Sequence, residues 1–261
     1  MRTLPQRGPI PLTREVLERA GRHDAGTLAA ALTYQGLLSS VPLLVLAGAA
    51  IGFAAAGDPA MADRWLAEIA RIVPGTEAVV GRSLEALVDG RVQAGAIALA
   101  ALVWTGSSLA GRAAHTMARV FELPERTWYR KRLRALAEFV ILGTAGLVGI
   151  ALTALTSAGA GPLPWLGAVV LDLALAVLTY RVLTPPGGPA VRGHLPGAVV
   201  LAAAWTLLKL GGGWYVGVVV ARATAVYGTI AAIVGLLAIL AIAANAFIYG
   251  AELSAVLARD D

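Results

Sequence analysis

The chain is expected to be an all-α, polytopic integral membrane protein, with six transmembrane helices in one bundle. Three observations predict this. Hydrophobic residues make up 58% of its 261 positions and charged residues only 14%, where soluble domains carry roughly 25% charged. Uncharged stretches long enough to cross a bilayer recur along the chain, and the basic residues gather in alternate connections between them. With no cysteine in the sequence, disulfide frameworks, zinc knuckles and thiol nucleophiles are excluded.

A helix needs about 20 residues to cross about 30 Å of hydrocarbon. The first candidate, Ala25 to Gly57, is uncharged throughout and too long for a cleaved leader, so the basic segment 1–24 ahead of it reads as a retained cytoplasmic end. Further spans are expected at 92–111, 135–158, 165–183, 196–219 and 226–251, the first being 26–56. Together they form a membrane domain over 25–257 with a short tail at 258–261. The third and fourth spans form a hairpin, because Gly159-Ala160-Gly161-Pro162-Leu163-Pro164 must end one helix and start the next.

Fifteen of the 21 Lys and Arg residues fall on the side of the N-terminus, five on the other, and Lys209 lies within a span. The positive-inside rule then puts both termini in the cytoplasm, N-in and C-in, with the localisation expected to be a bacterial inner membrane. The formal charge of +5 is therefore topological, and no nucleic-acid partner is expected. The external segment 58–91 is amphipathic. Met61, Trp65, Ile69 and Ile72 share one helical face, and Val80, Leu84 and Leu87 repeat the pattern after Pro74-Gly75. Two short helices lying on the outer interface or capping the bundle are expected there.

Ionisable groups inside a bilayer are costly unless paired or hydrated, so they are the first candidates for function. Asp172 lies about 10 Å from the outer end of span four and Lys209 about 15 Å from the outer end of span five, similar depths that allow a pair. Such a pair either lines a watery cavity or fixes helix register. The run Gly211-Gly212-Gly213 costs roughly 1 kcal/mol per residue against alanine, so it implies close helix packing or a break lining a pathway. Gly213 with Gly217, and Gly48 with Gly52, give small-residue faces through which a homo-oligomer could form. Pro42 is expected to kink the first span, with the hydroxyls of Ser39 and Ser40 satisfying the carbonyls it frees.

At the cytoplasmic face, Glu138 and Glu252 are expected to pair with Arg130, Arg132 or Arg134 in a belt of charge. The same basic loop is suited to anionic lipid head groups. His23, His115 and His194 are scattered over three cytoplasmic segments, where each reads as a juxtamembrane surface residue. No metal-binding cluster results, so the sequence implies neither metal nor cofactor. The Gly-x-x-x-x-Gly-Lys-Ser/Thr phosphate loop is absent from the sequence, so direct ATP coupling is not expected.

Four blocks in order carry a family resemblance over about 230 residues. They are Ala29-Ala30-Ala31-Leu32-Thr33-Tyr34 with Leu37-Leu38-Ser39-Ser40-Val41-Pro42, then Trp104-Thr105-Gly106-Ser107-Ser108 leading to Arg119-Val120-Phe121-Glu122-Leu123-Pro124-Glu125-Arg126, then Lys209 with Trp214-Tyr215. The last is Tyr227-Gly228-Thr229-Ile230-Ala231-Ala232 with Tyr249-Gly250-Ala251-Glu252-Leu253. In these the chain resembles the YihY/BrkB family of bacterial inner-membrane proteins. It departs from the commoner pattern at Tyr34-Gln35-Gly36 and Gly211-Gly212-Gly213, where bulky aromatic residues are expected. The resemblance implies a six-span inner-membrane protein. The family's labels are a virulence factor connected with serum resistance and, earlier, a ribonuclease; neither is a mechanism. A ribonuclease would need converging histidines or carboxylates; the three histidines lie in three separate segments, which makes a membrane-bound ribonuclease the third and least favoured reading. The chain is therefore expected not to be an enzyme, but a transporter or flippase-like protein for an amphipathic or anionic solute. The alternative is a non-transporting scaffold or envelope-integrity factor.

Overall fold

The computed structural model describes residues 9–57, 77–124, 133–141, 144, 148, 162–214 and 229–259, and among these every regular element is helical. In chain order they are α1 (Pro9–Arg22), α2 (Ala25–Gly57), α3 (Glu77–Val120), α4 (133–141), α5 (Pro162–Leu183), α6 (Val191–Trp214) and α7 (Thr229–Leu257). Five contain segments long and apolar enough to cross a membrane: Ala25–Leu46, Val92–Val120, Leu166–Leu183, Val191–Lys209 and Ile233–Leu257. Most of the expected third span, 135–158, lies outside the described residues. The outward faces of these helices are apolar, with Val41, Leu44, Ile97, Trp104, Val170 and Leu207 all exposed. Side chains of this kind need lipid rather than water around them.

The external segment differs from the sequence expectation. Instead of a separate short helix at Val80, Leu84 and Leu87, helix α3 runs unbroken for 44 residues from Glu77 through the span. At 1.5 Å per residue this is about 66 Å, twice the hydrocarbon thickness. The helix has no reason to stop at the membrane boundary, because its own hydrogen bonds need no change there. The other expected amphipathic helix, around Met61 to Ile72, lies outside the described residues.

The chain divides into two compact units. The first comprises residues 1–33, 107–207 and 241–261. Its core is one cluster in which Leu28 and Leu32 of α2, Met117 and Val120 of α3, Tyr180 and Leu183 of α5, Ala198 of α6 and Ile248 of α7 are buried together. Between α5 and α6 the chain reverses at Pro185-Pro186-Gly187-Gly188, closed by the Gly188 N–H donating to the Pro185 carbonyl over 3.3 Å. Gly187 takes φ 95° there, the left-handed third position that a turn of this type reserves for glycine. Helices α6 and α7 touch backbone to backbone at Gly197 and Gly250. A Cβ on Gly197 would run into the Gly250 carbonyl, and one on Gly250 would lie 2.8 Å from the Gly197 oxygen. The crossing is fastened by Gly197 N–H donating to Ser254 Oγ at 3.0 Å, and α5 is tied to α7 beside it by Tyr180 Oη donating to the Phe247 carbonyl at 2.9 Å.

The second unit comprises residues 34–106 and 208–240. Gln35 is buried and its Nε2 donates to the Thr105 carbonyl at 3.1 Å, tying α2 to α3. A Cβ on Gly36 would meet Leu240 Cδ2 at 3.3 Å, so α2 and α7 also pack tightly here. Helix α6 continues unbroken through Gly211, Gly212 and Gly213 to Trp214, so no unwinding accompanies the glycine run. A Cβ on Gly211 would meet nothing within 4 Å. Close packing does not account for that glycine, whereas Gly197, Gly250 and Gly36 do sit at close approaches between helices.

These contrasts give an expected pair of outcomes. Gly250→Val should force α6 from α7 and cost about 2 kcal/mol or more, by the overpacking of a fitted core. Gly211→Ala should be neutral or stabilising by up to about 1 kcal/mol. Thermal unfolding of both variants in detergent checks the order, and equal midpoints would contradict it.

Candidate functional site: a buried charge network and an intramembrane carboxylate

Helix α1 carries Leu12, Val16 and Ala20 on one face, and Arg19 falls on the same stripe, seven residues after Leu12. The helix therefore buries its arginine with its apolar face, leaving Arg19 1% exposed. An arginine so placed must find partners for a planar fork of donors. Its Nε donates to Glu252 Oε2 at 3.1 Å, Nη1 to Glu122 Oε1 at 3.3 Å and Nη2 to the Val120 carbonyl at 2.9 Å. Glu252, near the end of α7, is itself fully buried. The Val120 carbonyl belongs to the last turn of α3, whose partial negative charge favours a cation.

His23 completes the cluster. Its Nδ1 meets Glu252 Oε1 at 2.5 Å and its Nε2 lies 3.7 Å from Glu122 Oε1. Arg259 adds a hydrogen bond to Glu122 Oε1 at 2.7 Å. Two arginines thus face two carboxylates across the cluster. Glu122 holds its place at a conformational cost, with φ 53°. It occupies the left-handed position that ends α3, where Leu123 N–H reaches the Ala118 carbonyl and Glu122 N–H the Arg119 carbonyl. Helices usually place glycine there, and a side chain in this region costs about 1 kcal/mol or more. The two arginines that meet its carboxylate explain why a glutamate occupies it.

Burial pushes the Glu122 carboxyl up, but the charges of Arg259, Arg19 and His23, with the Arg259 hydrogen bond, outweigh this and hold it below its ordinary range. The opposition of effects fits its partial exposure.

The expected site residues fall as follows. Asp172 on α5 is buried, and Thr206 Oγ1 on α6 donates to its Oδ2 at 3.2 Å. Lys209 is half-buried on α6 and belongs to the second unit, whereas Asp172 belongs to the first. Arg134 Nε lies 3.5 Å from the buried Glu138 Oε1, one turn along α4. Arg130 and Arg132 lie outside the described residues. Among the described residues the partners of Glu252 are Arg19 and His23. The apolar face of α1 delivers a desolvated arginine, which a buried carboxylate holds better than a solvated one.

Helix α2 is continuous through Pro42. Ser39 Oγ donates to the Gln35 carbonyl and Ser40 Oγ to the Leu37 carbonyl, whereas the carbonyl freed by the missing N–H of Pro42 is that of Leu38. The serines back-bond within their own turn and do not repair the proline. His194 also departs from the surface position expected of it, being fully buried. His23 and His115 are half-buried. Among the described residues no group of three or more His, Cys, Asp or Glu is placed to hold a metal.

Arg19, His23, Glu122 and Arg259 escaped sequence reasoning. The arginine on the apolar stripe of α1 was the available signal.

Helices long and apolar enough to cross a membrane, with a desolvated ion pair buried among them, define a class, the polytopic α-helical membrane protein. The chain belongs to the BrkB family: the family described as Virulence factor BrkB matches it over residues 16–261. No curated protein and no solved structure matches it significantly.

Two outcomes test the network. Arg19→Met or Glu252→Leu alone should destabilise by about 3–5 kcal/mol, since each strands a buried charge, while the double substitution should recover most of the loss. A double-mutant cycle in detergent measures this, and additive losses would contradict the pairing. For Glu122, whose folded pKa is depressed, stability is present above the ordinary value of 4.5 and lost as pH falls through the folded pKa. The melting temperature should therefore drop more steeply below that pH in the parent protein than in Glu122→Gln.

Proposed function

We propose that the protein is a transporter or flippase-like protein that moves an amphipathic or anionic solute across a bacterial inner membrane. It crosses six times with both ends in the cytoplasm and performs no enzymatic step. The observation carrying this reading is Asp172, a carboxylate buried inside a membrane-crossing helix and met by the Thr206 hydroxyl. A carboxylate at such depth is costly, and in membrane proteins it marks substrate or ion pathways. Lys209 on α6 supplies a cation suited to an anionic cargo. The basic connections, Arg134 among them, suit anionic lipid head groups at the inner leaflet.

A second reading has its own observation. The network of Arg19, Glu252, His23, Glu122 and Arg259 fastens helices without needing a cargo, as a scaffold or envelope-integrity factor would require. Asp172 separates the two. Asp172→Asn keeps the shape and the hydrogen bond from Thr206 but removes the charge, so a scaffold should tolerate it.

The test is reconstitution of the purified protein in liposomes containing anionic lipid, followed by solute and lipid movement under an imposed gradient. Movement above protein-free vesicles that falls about tenfold or more in Asp172→Asn is expected for a charge acting in the pathway. Movement equal to protein-free vesicles would overturn the transport reading and favour the scaffold.

A further inference from the structure

His194 is fully buried in the first unit, and neither ring nitrogen has a hydrogen-bond partner among the described residues. An imidazole always carries at least one N–H donor. Leaving such groups dry and unpaired costs about 1–3 kcal/mol each, so their presence calls for an explanation. The neighbours offer no relief. Phe121 presents its ring edge-on at 5.4 Å, and Tyr180 lies tilted at 6.3 Å. The Tyr180 hydroxyl is committed to the Phe247 carbonyl, and Ser254 Oγ donates to the backbone carbonyl of His194 rather than to its ring. Among the described residues Arg181 on α5 is a charge close enough to act on the ring, and it repels a positive one.

The position of this ring relates it to the carboxylate already described. His194, Ala198, Ala202 and Thr206 follow one another at every fourth residue of α6, and Asp172, Ala176 and Tyr180 do so on α5. The four-residue spacing keeps each set on one helical face. His194, Ala198, Ala202, Asp172, Ala176 and Tyr180 are all buried. One end of the row on α6 donates to Asp172 through Thr206, and the other end, about 18 Å away along the helix, is the unpartnered imidazole. Alanines between them leave the least bulk where the helices face each other.

We infer that His194 is a proton-binding site of the membrane domain, so that the proton is the ion coupled to movement through it; this rests on the transport reading above. The step is simple: one ring nitrogen keeps its hydrogen, the lone pair of the other takes a proton, and the ring becomes imidazolium. A cation in a dry aromatic cage costs several kcal/mol unless it is paired or hydrated. Proton uptake must therefore be accompanied by movement of the first turn of α6 away from Phe121, Tyr180 and Arg181. The Gly197–Gly250 crossing lies three residues along and supplies a contact on which such a movement can turn.

The full chain is reconstituted in vesicles loaded with a pH-sensitive dye, and a pH step is imposed. Vesicles with protein should equilibrate faster than protein-free ones. His194→Phe, which preserves an aromatic ring beside Phe121, should unfold at or above the parent temperature while its proton flux falls about tenfold or more, as for loss of an acid–base group. His194→Gln, polar but unable to take a proton near neutrality, should lose the flux likewise and guards against a packing fault in the phenylalanine variant. Flux at the parental rate in either folded variant overturns the inference, as does parental flux no greater than that of protein-free vesicles. Solute exchange at equal pH, followed in the same parental vesicles, tests the transport reading separately. Exchange without His194-dependent proton flux overturns the proton site alone, and His194-dependent flux without exchange overturns the transport reading alone.

Discussion

The desolvated pair of Arg19 and Glu252 is the constraint on which the first unit depends. Both side chains are removed from water, and a buried pair offsets its desolvation only when the geometry is good and the remaining donors and acceptors are also satisfied. That requirement propagates outward. The guanidinium still has donors to place, so α3 must end where the Val120 carbonyl and Glu122 can receive them. The second oxygen of Glu252 still has a lone pair to place, so the turn after α1 must present His23. Glu122 adopts its left-handed backbone for the same reason. The pair thus specifies where three helices end, a selection that apolar packing alone makes poorly, because one alanine can replace another at little cost.

The membrane imposes a second constraint, visible in the hydroxyl side chains. Thr33, Ser39, Thr105, Thr116 and Thr179 each donate to a carbonyl four residues earlier on their own helix. A hydroxyl packed among apolar helices has few other acceptors, so it returns to the backbone. The exceptions are therefore informative. Thr206 reaches across to Asp172 and Ser254 reaches across to His194 and Gly197, and both belong to the helix contacts that matter most for the proposed function.

Much of the fold was legible because the bilayer sets the length and polarity of whatever crosses it. The uncharged run Ala25 to Gly57 became one helix with the same bounds, and Gly-Pro punctuation before Trp165 marked the start of α5. The amphipathic stretch before Arg91 was misread because amphipathicity is local, whereas the continuation of α3 depends on the absence of a breaker. The candidate site was less legible. Asp172 stood out as a charge in an oily segment, but the partners of Glu252 come from 229 and 233 residues away in sequence, and nothing local announces such a contact. The glycine run at 211–213 drew notice by its density. The glycines that do bring helices together, Gly197 and Gly250, are single. Each still carries a small partner four residues away, Gly193 and Ser254, the spacing that lets backbones approach.

Two kinds of buried polar group thus coexist in one unit, and their difference bears on what can move. In the network around Arg19, positive and negative groups interlock across α1, α3 and α7, so displacing Arg19 or Glu252 strands a buried charge. Around His194 there is no such lock: the ring is held by aromatic contacts, which bind by shape and tolerate sliding. A protein needing one rigid end and one adjustable seam would distribute its polar groups in this way. The hydrogen bond from Thr206 to Asp172 lies along the same face of α6 as His194, so any shift of that helix that hydrates the imidazole also changes the surroundings of the carboxylate. Coupling between the two requires no direct contact, only that His194 and Thr206, the partner of the carboxylate, sit on one stiff helix whose crossing with α7 is a backbone contact between two glycines.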